Sequence, residues 1–473
     1  MNLYKLIFVL GCAIAVFAAA EPADATKLGP KLVVYPAPQG AELSKDYTVT
    51  VNGKPVDVYI APVWEPVNVP SYGGPYSFAY FDFRGSAKVS ITTKKPLDKV
   101  KVLPASRGIK PKVSGETMTF KLTKPCQISI EPDAKNGPLL LFANPIEVNP
   151  PKKGDPGVRY FGPGIHEVDE IKLGDNETLY IAGGAIVKGG ISAKGANIRI
   201  MGRGIIDGGK WERFKGPIND LLLASDCTDL KVEGIILKDS WTWTCLFMGC
   251  RNVTVDNLKI CSTRCEYNDG IDIVNCHHVL ITNSFIRSDD DSIAPKGMGA
   301  GGGMAVDDVT VTKCVLWTDR AHIWRVGGEA RAEAMRNMLF KDIDVLHFSN
   351  WLSEWSPWLI SLQPAEDMPM ENIRFEDIRV HGTGEKHLIE LMTEPTEWAK
   401  KQTSGMIRNC TFKNIVITGN STGKLGLVSI RGSDAEHTIE NVVFDNIVRY
   451  GHKLTKDSPE IEINQFTKNI AIK

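Results

Sequence analysis

Apolar and polar residues alternate in short runs over the first third of the chain. Gly, Pro and Asn separate these runs, which occur at residues 31–35, 47–51, 56–60, 88–92, 117–122 and 127–130. Short alternating segments with frequent turn residues are typical of an antiparallel β-sandwich. We therefore predict an N-terminal β-sandwich over residues 26–145. The Pro-rich and Gly-rich stretch that follows predicts a stiff linker over residues 146–157.

A second pattern begins after the linker, where one phrase recurs. A polar residue is followed by an apolar-x-apolar run and, two or three residues later, by another apolar pair. Nine copies begin at Asn197, Asp229, Asn252, His278, Asp308, Asn337, Asn372, Asn409 and Asn441. A repeat of this length without helical heptads is typical of a parallel β-helix, in which each coil buries its inward face against its neighbours. We predict this fold for residues 158–473, with the polar residues forming a structural ladder at a bend.

A β-propeller is the competing architecture, because its blades have a similar repeat length. Each blade needs four strands, whereas these copies contain two or three short apolar segments and Gly-rich bends. The pattern therefore favours an all-β fold in which a parallel β-helix follows the sandwich.

The first residues form a separate apolar segment. Lys5 precedes an apolar run at residues 6–17, and alanines follow at residues 18–20. This layout predicts a secretory signal peptide over residues 1–25, because the apolar run is too short to span a membrane. A lipoprotein cleavage site at Cys12 is the minor alternative. We expect a secreted or periplasmic protein without a membrane span.

Charge and cysteine content say little about the partners and cofactors of the protein. The 55 Lys and Arg residues nearly balance the 56 Asp and Glu residues, so net charge gives no argument for a nucleic-acid or membrane partner. We expect a monomer with no cofactor and no metal, since the cysteines lack zinc-site spacing. Cys245 with Cys250, and Cys261 with Cys265, are close enough to form disulfides. Free cysteines buried in a β core are the simpler interpretation.

Aspartates are concentrated in two groups separated by about one coil of β-rich sequence. Asp269 lies in the first group, and Asp290 and Asp291 lie in the second. One β-coil would stack the groups at a strand spacing of roughly 4.8 Å. Like charges at that range raise at least one carboxyl pKa, and folding stability does not require them, so we predict a catalytic site. We expect a structural role for Asp272 and a solvated loop position for Asp289.

Tryptophans near these aspartates point to a carbohydrate cleft. A solenoid exposes long, shallow grooves that suit an extended polymer, and aromatic faces pack against the apolar faces of sugar rings. Some of these tryptophans can equally fill the core. Cleavage of a glycosidic bond needs one carboxyl group to protonate the leaving oxygen and a second to activate water or attack the anomeric carbon. Asp290 and Asp291 can share such a site only at a bend, because neighbours on a straight strand point to opposite faces.

Three segments resemble the ordered motifs of the polygalacturonase family, glycoside hydrolase family 28. Residues 268–272 are similar to its Asn-x-Asp-Gly segment, residues 290–297 to its Asp-Asp segment and residues 322–328 to its Gly-His-Gly segment. The resemblance implies a right-handed parallel β-helix and a hydrolase that inverts the anomeric centre.

The resemblance also implies a role for each catalytic residue. Asp290 would be the general acid, while Asp269 and Asp291 would hold and deprotonate the water. His322 would tune the acid or position the substrate. A crowded carboxylate cluster agrees with this assignment, because it raises the pKa of one member and so keeps an acid protonated near neutral pH.

Departures from the family pattern bear on the substrate. Ala321 and Ile323 replace the glycines beside the family's histidine, and no Arg-x-Lys segment follows where the family grips a uronate carboxylate. The chain is also similar to the related dextranase and isopullulanase family, glycoside hydrolase family 49, which combines an N-terminal β-sandwich with the same kind of β-helix. A pectin-like uronan, a sulfated galactan and an α-glucan therefore stay open as substrates.

Basic and aromatic residues near the motifs are candidates for binding a polysaccharide or oligosaccharide. Arginine suits bidentate contacts with carboxylate or sulfate groups, although basic side chains here could instead neutralise the aspartates. The predicted substrate-binding residues are Lys296, Arg325, Trp324, Trp243, Trp317 and Arg264.

These observations predict an exported, inverting polysaccharide hydrolase. One alternative is a polysaccharide lyase on the same scaffold, which would need a Ca²⁺ site and a basic residue as base. The other is a non-catalytic glycan-binding solenoid, which would need the aromatic groove but not the aspartates.

Overall fold

The computed structural model describes residues 31–65, 72–299, 303–348, 357–382, 387–419 and 426–473. The predicted signal peptide, residues 1–25, lies outside the described residues. In the described part of the chain the fold is all-β, and its strands form three sheets. None of the helices in these ranges is long and apolar enough to cross a membrane.

Two sheets form the N-terminal part of the protein. In chain order the strands are β1 (Leu32–Val34), β2 (Tyr47–Val51), β3 (Lys54–Val56), β4 (Tyr59–Ala61), β5 (Tyr76–Phe83), β6 (Ala87–Thr93), β7 (Lys101–Leu103), β8 (Lys112–Ser114), β9 (Thr117–Leu122), β10 (Cys126–Glu131) and β11 (Leu139–Pro145), with a 3-10 helix at Ala105–Arg107. The first sheet has the order β1-β5-β11-β10-β7, with β4 beside β5, and the second has the order β3-β2-β6-β9-β8. Neighbouring strands are antiparallel except for β5 and β11.

The two sheets pack face to face around one apolar core. Alternate residues of the second sheet, such as Val49 and Ile91, point inward and pack with Phe81 and Ile128 of the first sheet. Period-two alternation is what a strand with one buried face requires. The predicted β-sandwich is therefore confirmed.

The remaining strands form one sheet, in which the pairing is parallel except between β37 and β38. They are β12 (Val158–Phe161), β13 (Gly164–Leu173), β14 (Thr178–Ile181), β15 (Ala185–Ala193), β16 (Ala196–Gly202), β17 (Ile205–Asp207), β18 (Leu222–Ser225), β19 (Thr228–Glu233), β20 (Ile236–Lys238), β21 (Cys245–Met248), β22 (Arg251–Asp256), β23 (Lys259–Ser262), β24 (Ile271–Val274), β25 (His277–Thr282), β26 (Phe285–Ser288), β27 (Ile293–Lys296), β28 (Val306–Thr312), β29 (Val315–Thr318), β30 (Trp324–Gly327), β31 (Met335–His347), β32 (Ile360–Gln363), β33 (Pro369–Val380), β34 (His387–Met392), β35 (Met406–Ile417), β36 (Leu427–Arg431), β37 (Ile439–Arg449), β38 (His452–Lys453), β39 (Ile461–Ile463) and β40 (Thr467–Ile472).

Each coil of this stack lies directly on the next, which makes a parallel β-helix. Strand β21 pairs with β24, and β24 pairs with β27. Equivalent residues then meet in the interior: Phe340, Phe375, Phe412 and Phe444 occupy one register, and the Phe375 and Phe412 rings stack with centroids 5.4 Å apart. The predicted β-helix is confirmed, and the described residues between β11 and β12 contain turns but no strand.

The polar residue of each repeat forms the predicted ladder at a bend. All nine have a left-handed backbone, with φ between 54° at Asn197 and 59° at Asp229, a conformation that Asn, Asp and His adopt more readily than other non-glycine residues. The side-chain amide of Asn409 donates to Asn372 at 3.3 Å, and that of Asn441 donates to Asn409 at 3.1 Å. The ladder therefore combines a backbone preference with a side-chain hydrogen bond.

The nine cysteines in the described ranges are buried and free. The disulfides considered between Cys245 and Cys250, and between Cys261 and Cys265, do not form. The simpler interpretation is confirmed, because these side chains fill interior positions. Cys245, for example, pairs in register with Ile271 of the next coil.

Candidate active site

One edge of the β-helix opens into a cavity with a volume of about 1620 Å³. Its wall includes the segments that lead into the first strand of successive coils: 266–270 before β24, 289–292 before β27 and 319–323 before β30. Parallel pairing places β24 beside β27 and β27 beside β30. Side chains from all three sequence motifs therefore line one cavity.

Asp269 is buried beside Lys296. The Lys296 ammonium donates a 2.9 Å hydrogen bond to Asp269 Oδ2 and lies 3.0 Å from Asp272 Oδ1. Burial opposes the charge of Lys296, but the carboxylates of Asp269 and Asp272 outweigh burial and raise its pKa. Lys296 therefore neutralises the aspartate cluster, which is the alternative role considered for it, and its ammonium lies 3.9 Å from the ring centroid of Trp243.

Asp290 has the raised pKa that a proton donor needs. Burial raises the pKa of Asp290, the Arg320 guanidinium offsets part of that rise, and the adjacent Asp291 carboxylate adds to it. Arg320 contacts Asp290 and also Asp289, the latter at 3.1 Å. Asp289 is completely buried by these contacts, so its predicted place in a solvated loop is wrong. A buried carboxylate requires such a partner.

Asp291 differs from Asp290 because it has a histidine partner. Both the backbone N–H and the Nδ1 of His322 lie within hydrogen-bond distance of Asp291 Oδ1, at 3.0 and 2.9 Å. Burial opposes ionisation, but His322, with help from Lys296 and Arg325, holds the pKa of Asp291 below its ordinary value. Two adjacent aspartates therefore favour opposite protonation states.

The Asp290–Asp291 pair lies in a bend, as the sequence predicts. The hydroxyls of Ser288 and Thr318 both donate to the Asp290 carbonyl, at 2.8 and 2.6 Å. The Asp291 N–H donates to Asp290 Oδ1 at 2.9 Å. These hydrogen bonds turn the chain so that both carboxylates line the cavity.

Gly270 keeps the first two motifs close together. Its N–H donates to the Asp291 carbonyl at 2.8 Å, and a Cβ at this position would lie 2.3 Å from the Ser292 carbonyl oxygen. Any side chain here would therefore push the two coils apart. The glycine of the first motif is explained by this close backbone approach.

Two predicted substrate-binding residues line the cavity with open surface. Trp243 is half-buried there. Arg325 is half-buried too, and its guanidinium donates 2.7 Å hydrogen bonds to Ser361 Oγ and Gln363 Oε1. Both acceptors are neutral, so the charge of Arg325 is not cancelled by them. Ser361 and Gln363 occupy the strand where the Arg-x-Lys segment is missing.

Two tryptophans predicted to bind substrate are in fact buried structural residues. Trp324 is completely buried between Ile293 and Ile360 of neighbouring coils, because its register points inward while Arg325 points outward. Trp317 lies where the β-helix meets the sandwich, with the Arg287 guanidinium 3.9 Å from its ring centroid. Both predictions are wrong, because these rings fill the core and the interface between the two domains.

Arg264 does not line the cavity either, so its predicted contact with substrate is wrong. Its guanidinium donates to the backbone carbonyls of Asp239, Gly208 and Trp211. These bonds anchor the loop between β17 and β18. Arg264 therefore supports the cavity wall from behind.

Several residues that line the cavity lie outside the three sequence motifs. Asp220, in the loop before β18, lines the cavity and accepts a 3.1 Å hydrogen bond from the Thr242 hydroxyl. Burial and the nearby Asp272 carboxylate raise the pKa of Asp220 to about 7. The aromatic residues Phe214 and Tyr267 also line the cavity.

One of these residues could have been found by comparison with the family's first motif. In an Asn-x-Asp-Gly pattern ending at Asp269-Gly270, the first position is Tyr267, and Asn268 occupies the variable position. Asn268 is completely buried, and its amide donates to the carbonyls of Ser240 and Thr242. Tyr267 therefore occupies a cavity position where the family pattern has asparagine.

Among the described residues, no group of three or more His, Cys, Asp or Glu side chains is arranged to hold a metal ion. Burial raises the pKa of Asp290 and also that of Asp269, whereas His322 lowers the pKa of Asp291, so an aspartate shifted toward the protonated form lies beside one shifted toward the ionised form. This is the pair that acid and base catalysis at a glycosidic bond requires.

Comparison with known sequences finds one family and several relatives. The sequence model described as Glycosyl hydrolases family 28 matches residues 190–469. Probable exopolygalacturonase B of Aspergillus terreus is 25% identical over 262 residues, which are 50% of this chain and 57% of that protein. Exopolygalacturonase B of Aspergillus niger is 25% identical over 265 residues, which are 50% of this chain and 56% of that protein. The match thus spans little more than half the length of these relatives.

Solved structures with a similar fold cover nearly the whole chain. Dex49A from Penicillium minioluteum has a TM-score of 0.73 at 15% identity and covers 93% of this chain and 96% of that one. The family 28 exopolygalacturonase of Yersinia enterocolitica has a TM-score of 0.53 at 13% identity, with the same coverage of each chain. At these identities the likeness is one of fold.

Proposed function

The chain belongs to glycosyl hydrolases family 28, whose model matches residues 190–469, and on that premise we propose that it hydrolyses glycosidic bonds in a pectin-like polysaccharide. One observation carries the proposal: Asp290 and Asp291 line one cavity, and their surroundings shift the two carboxyl pKa values in opposite directions, upward for Asp290 and downward for Asp291. Family membership makes the protein a glycoside hydrolase, in preference to the lyase or the non-catalytic solenoid considered from sequence.

Asp290 is the proposed general acid. Its pKa is raised, which favours the protonated carboxyl group, and the proton of that form passes to the glycosidic oxygen as the bond to the leaving sugar breaks. Arg320, which contacts Asp290, then stabilises the carboxylate that forms. The same contact fixes the orientation of the carboxyl group.

Asp291 and Asp269 are the proposed pair that directs water. Asp291 is ionised and held by His322, so it can accept a proton from water as that water attacks the anomeric carbon. Asp269, fixed by Lys296, can accept a second hydrogen bond from the same water. Attack opposite the leaving group inverts the anomeric centre. His322 acts by fixing Asp291 in its ionised state.

The pectin-like substrate is supported by the relatives and by one cation. The curated relatives include exopolygalacturonases, whose name implies a uronate chain. Of the Lys and Arg side chains that line the cavity within the described ranges, Arg325 alone has no carboxylate partner. It can therefore receive the carboxylate of a uronate, in place of the missing Arg-x-Lys segment.

A neutral α-glucan is the second candidate substrate. It is favoured because the cationic side chains other than Arg325 that line the cavity in the described ranges each have a carboxylate partner. Arg213 pairs with Glu266, Lys296 with Asp269, and Arg320 with Asp290. Paired cations attract a polyanion weakly, and a uniform polyuronate would bring one carboxylate per sugar into this cavity. Export after removal of residues 1–25 is also proposed, on the sequence pattern alone.

Hydrolysis assays with the purified full chain test the proposal. We expect release of sugar from polygalacturonate rather than dextran, with inverted anomeric configuration in the first product detected by NMR. Asp290→Asn should lower kcat by about a thousandfold, because general acid catalysis contributes on this order. Asp226→Asn, at an exposed aspartate paired with Lys194, is the matched control and should retain full activity. Full activity in Asp290→Asn, or retained configuration, contradicts the mechanism.

A further inference from the structure

Phe214 and Tyr267 form an exposed aromatic surface in the cavity, which we call the aromatic platform. Phe214 is 63% exposed and Tyr267 is 37% exposed. Their ring centroids lie 6.0 Å apart at an interplanar angle of 36°, and both line the same cavity as Asp269 and Asp290. Both rings therefore keep exposed apolar surface beside the proposed catalytic site.

Both platform residues have an unfavourable backbone conformation. The φ angles of Phe214 and Tyr267 are 61° and 64°, in the left-handed region that bulky residues rarely adopt. Non-glycine residues lose free energy in that region. The Phe214 ring, which is mostly exposed, does not regain this free energy by burial, so its strain points to a function outside folding.

A rigid loop holds Phe214 in place. The loop connects β17 to β18, and its residue Gly216 packs so closely on the indole of Trp241 that a Cβ would lie 1.9 Å from the ring. The Trp241 Nε1–H donates to the Ile218 and Asn219 carbonyls, at 2.9 and 3.1 Å. Arg264 bonds the same loop at Gly208 and Trp211. The exposed ring is therefore presented by an ordered scaffold.

The charges around the platform cancel locally. The Arg213 guanidinium lies 4.7 Å from the Phe214 ring centroid and 4.5 Å from that of Tyr267, and it forms a 2.5 Å ion pair with Glu266. Arg320, 5.8 Å from the Tyr267 centroid, is bound to Asp289 and Asp290. A sugar on the platform thus meets a carboxylate, Glu266, and no unpaired cation among the described residues.

We propose that the aromatic platform is a subsite for an uncharged pyranose ring, which stacks on Phe214 and Tyr267 beside the bond that is cleaved. Strands β18, β21, β24, β27 and β30 stack in that order. Phe214 precedes the coils that carry the aspartates, Tyr267 shares the coil of Asp269, and Arg325 lies on β30 after them. The inference rests on the proposed function and deepens it. The preferred substrate carries a free carboxylate at Arg325 and an uncharged sugar, such as a neutral hexose or an esterified uronate, at the platform.

Binding to the Asp290→Asn protein tests the platform without turnover. The probes are tetragalacturonic acid and its fully methyl-esterified form, which have the same rings and linkages but differ in charge. We expect Phe214→Ala and Tyr267→Ala each to weaken calorimetric binding of the ester about tenfold, the scale of a lost aromatic contact, and to weaken binding of the acid much less. Phe214→Trp should keep the affinity. Leu280→Ala, which removes an exposed apolar side chain outside the cavity, is the control.

Two further variants separate the platform from a merely structural role. Glu266→Gln leaves Arg213 unpaired, so it should raise the affinity for the acid several-fold and leave the affinity for the ester unchanged. Phe214→Gly relieves the left-handed strain, so it should raise Tm while it weakens binding of the ester. Loss of affinity accompanied by a lower Tm would indicate a structural role and overturn the proposal.

The outcomes for the platform and for hydrolysis are distinguishable. The platform is overturned if Phe214→Ala leaves the ester's affinity unchanged, if the acid depends on the platform as much as the ester does, or if neither probe binds at millimolar concentration. Hydrolysis of polygalacturonate by the unmodified protein would still stand in each of those cases. Conversely, platform-dependent binding without any cleavage of the polysaccharides would support the subsite and overturn the proposed reaction.

Discussion

His322 lowers the pKa of Asp291, and in the proposed mechanism it thereby sets the pH range in which water can be activated. Its Nδ1 lies 2.9 Å from Asp291 Oδ1. Through this contact and its charge, His322 makes the largest contribution to lowering the pKa of Asp291. A base must be ionised to act, so a depressed pKa extends activity toward acid. The histidine therefore acts on the reaction through Asp291.

His322→Ala should move the acid limb of the pH profile upward. Without His322 the pKa of Asp291 rises, because burial is then less opposed, so the ionised base is lost at a higher pH. We expect the acid limb of kcat/KM to shift up by about 1 unit or more, with a smaller loss of activity at pH above that limb. An unchanged acid limb would mean that Asp291 is not the base. Profiles of kcat/KM against pH for the two proteins provide the measurement.

Asp220 should make the protein less stable as pH rises. Its pKa is raised from 3.8 to about 7 in the folded protein, so the unfolded chain releases this proton at lower pH than the folded chain does. The stability that the protonated form contributes is present below pH about 4 and is lost as pH rises toward 7. The loss amounts to about 4 kcal/mol.

Asp220→Asn removes this ionisation and keeps the hydrogen bond from Thr242. We expect the Tm of the variant to exceed that of the unmodified protein by an amount that grows between pH 5 and pH 8, measured by scanning calorimetry. Asp226→Asn, at an exposed aspartate, should show a difference that stays constant over this range. A constant difference for Asp220→Asn as well would show that Asp220 titrates normally.

At the scale of single elements, the polar ladder determines how one coil meets the next. Asn409 lies within this ladder, donating to Asn372 and accepting from Asn441, with φ at 55°. Two separate contributions therefore depend on one side chain: a tolerated left-handed backbone and two hydrogen bonds along the stack. Substitution can separate them.

Asn409→Ala should lower the free energy of unfolding by about 2 kcal/mol, because it loses both the hydrogen bonds and the tolerated left-handed backbone. Asn409→Gly should lose roughly half as much, since glycine accepts that backbone freely. Thr411→Ala on the same strand is the control and should stay within about 0.5 kcal/mol. Denaturant titration measures all three. Equal losses for Ala and Gly would mean that backbone conformation contributes nothing at this bend.

The repeat could be predicted from sequence because its signals are local to each coil. A polar residue tolerant of left-handed backbone precedes each apolar-x-apolar run, and that order alone sets the bend and the inward face. The two misassigned tryptophans depend on other features: Trp317 is covered by the sandwich, and the burial of Trp324 depends on strand register. Shifting a strand by one residue exchanges its two faces, and nothing in the segment 322–328 says whether Trp324 or Arg325 points inward.

The proximity of Asp269, Asp290 and Asp291 could be predicted because one coil separates the two groups, which is again a local rule. Asp220 and Phe214 could not, because they come from the irregular loop between β17 and β18. That loop reaches the cavity only through its packing on Trp241. Contacts between residues far apart in sequence, including those of Arg264, produce no repeating pattern in the sequence.

At the scale of the whole molecule, the sandwich supports the side of the β-helix that carries the site. Thr263, in the turn that leads to Asp269, donates to the Pro62 carbonyl at 2.8 Å and accepts from the Trp64 N–H at 2.6 Å. The Trp64 ring centroid lies 5.8 Å from Arg320, which holds Asp290. Contacts therefore extend from the N-terminal domain to the residues around Asp290.

A buried ion pair joins the two domains at their apolar interface. Arg203 of the β-helix contacts Asp82 of the sandwich at 2.9 Å, and both side chains are almost fully buried. The Asp82 carboxylate is the main favourable influence on the Arg203 charge. Removing one member leaves the other charge buried and unpaired, which is more damaging than replacing both with apolar side chains.

Arg203→Met should therefore lower the free energy of unfolding by about 3 to 5 kcal/mol. The double variant Arg203→Met/Asp82→Leu should recover part of that loss, because the Asp82 charge is removed as well and only Glu147, 3.8 Å from Arg203, loses a charged partner. A double-mutant cycle from denaturant titrations of the unmodified protein, both single variants and the double variant measures the coupling. Additive losses would show that the pair contributes nothing to holding the sandwich against the β-helix. Strong coupling together with lower activity in Arg203→Met would tie this interface to the arrangement around Asp290.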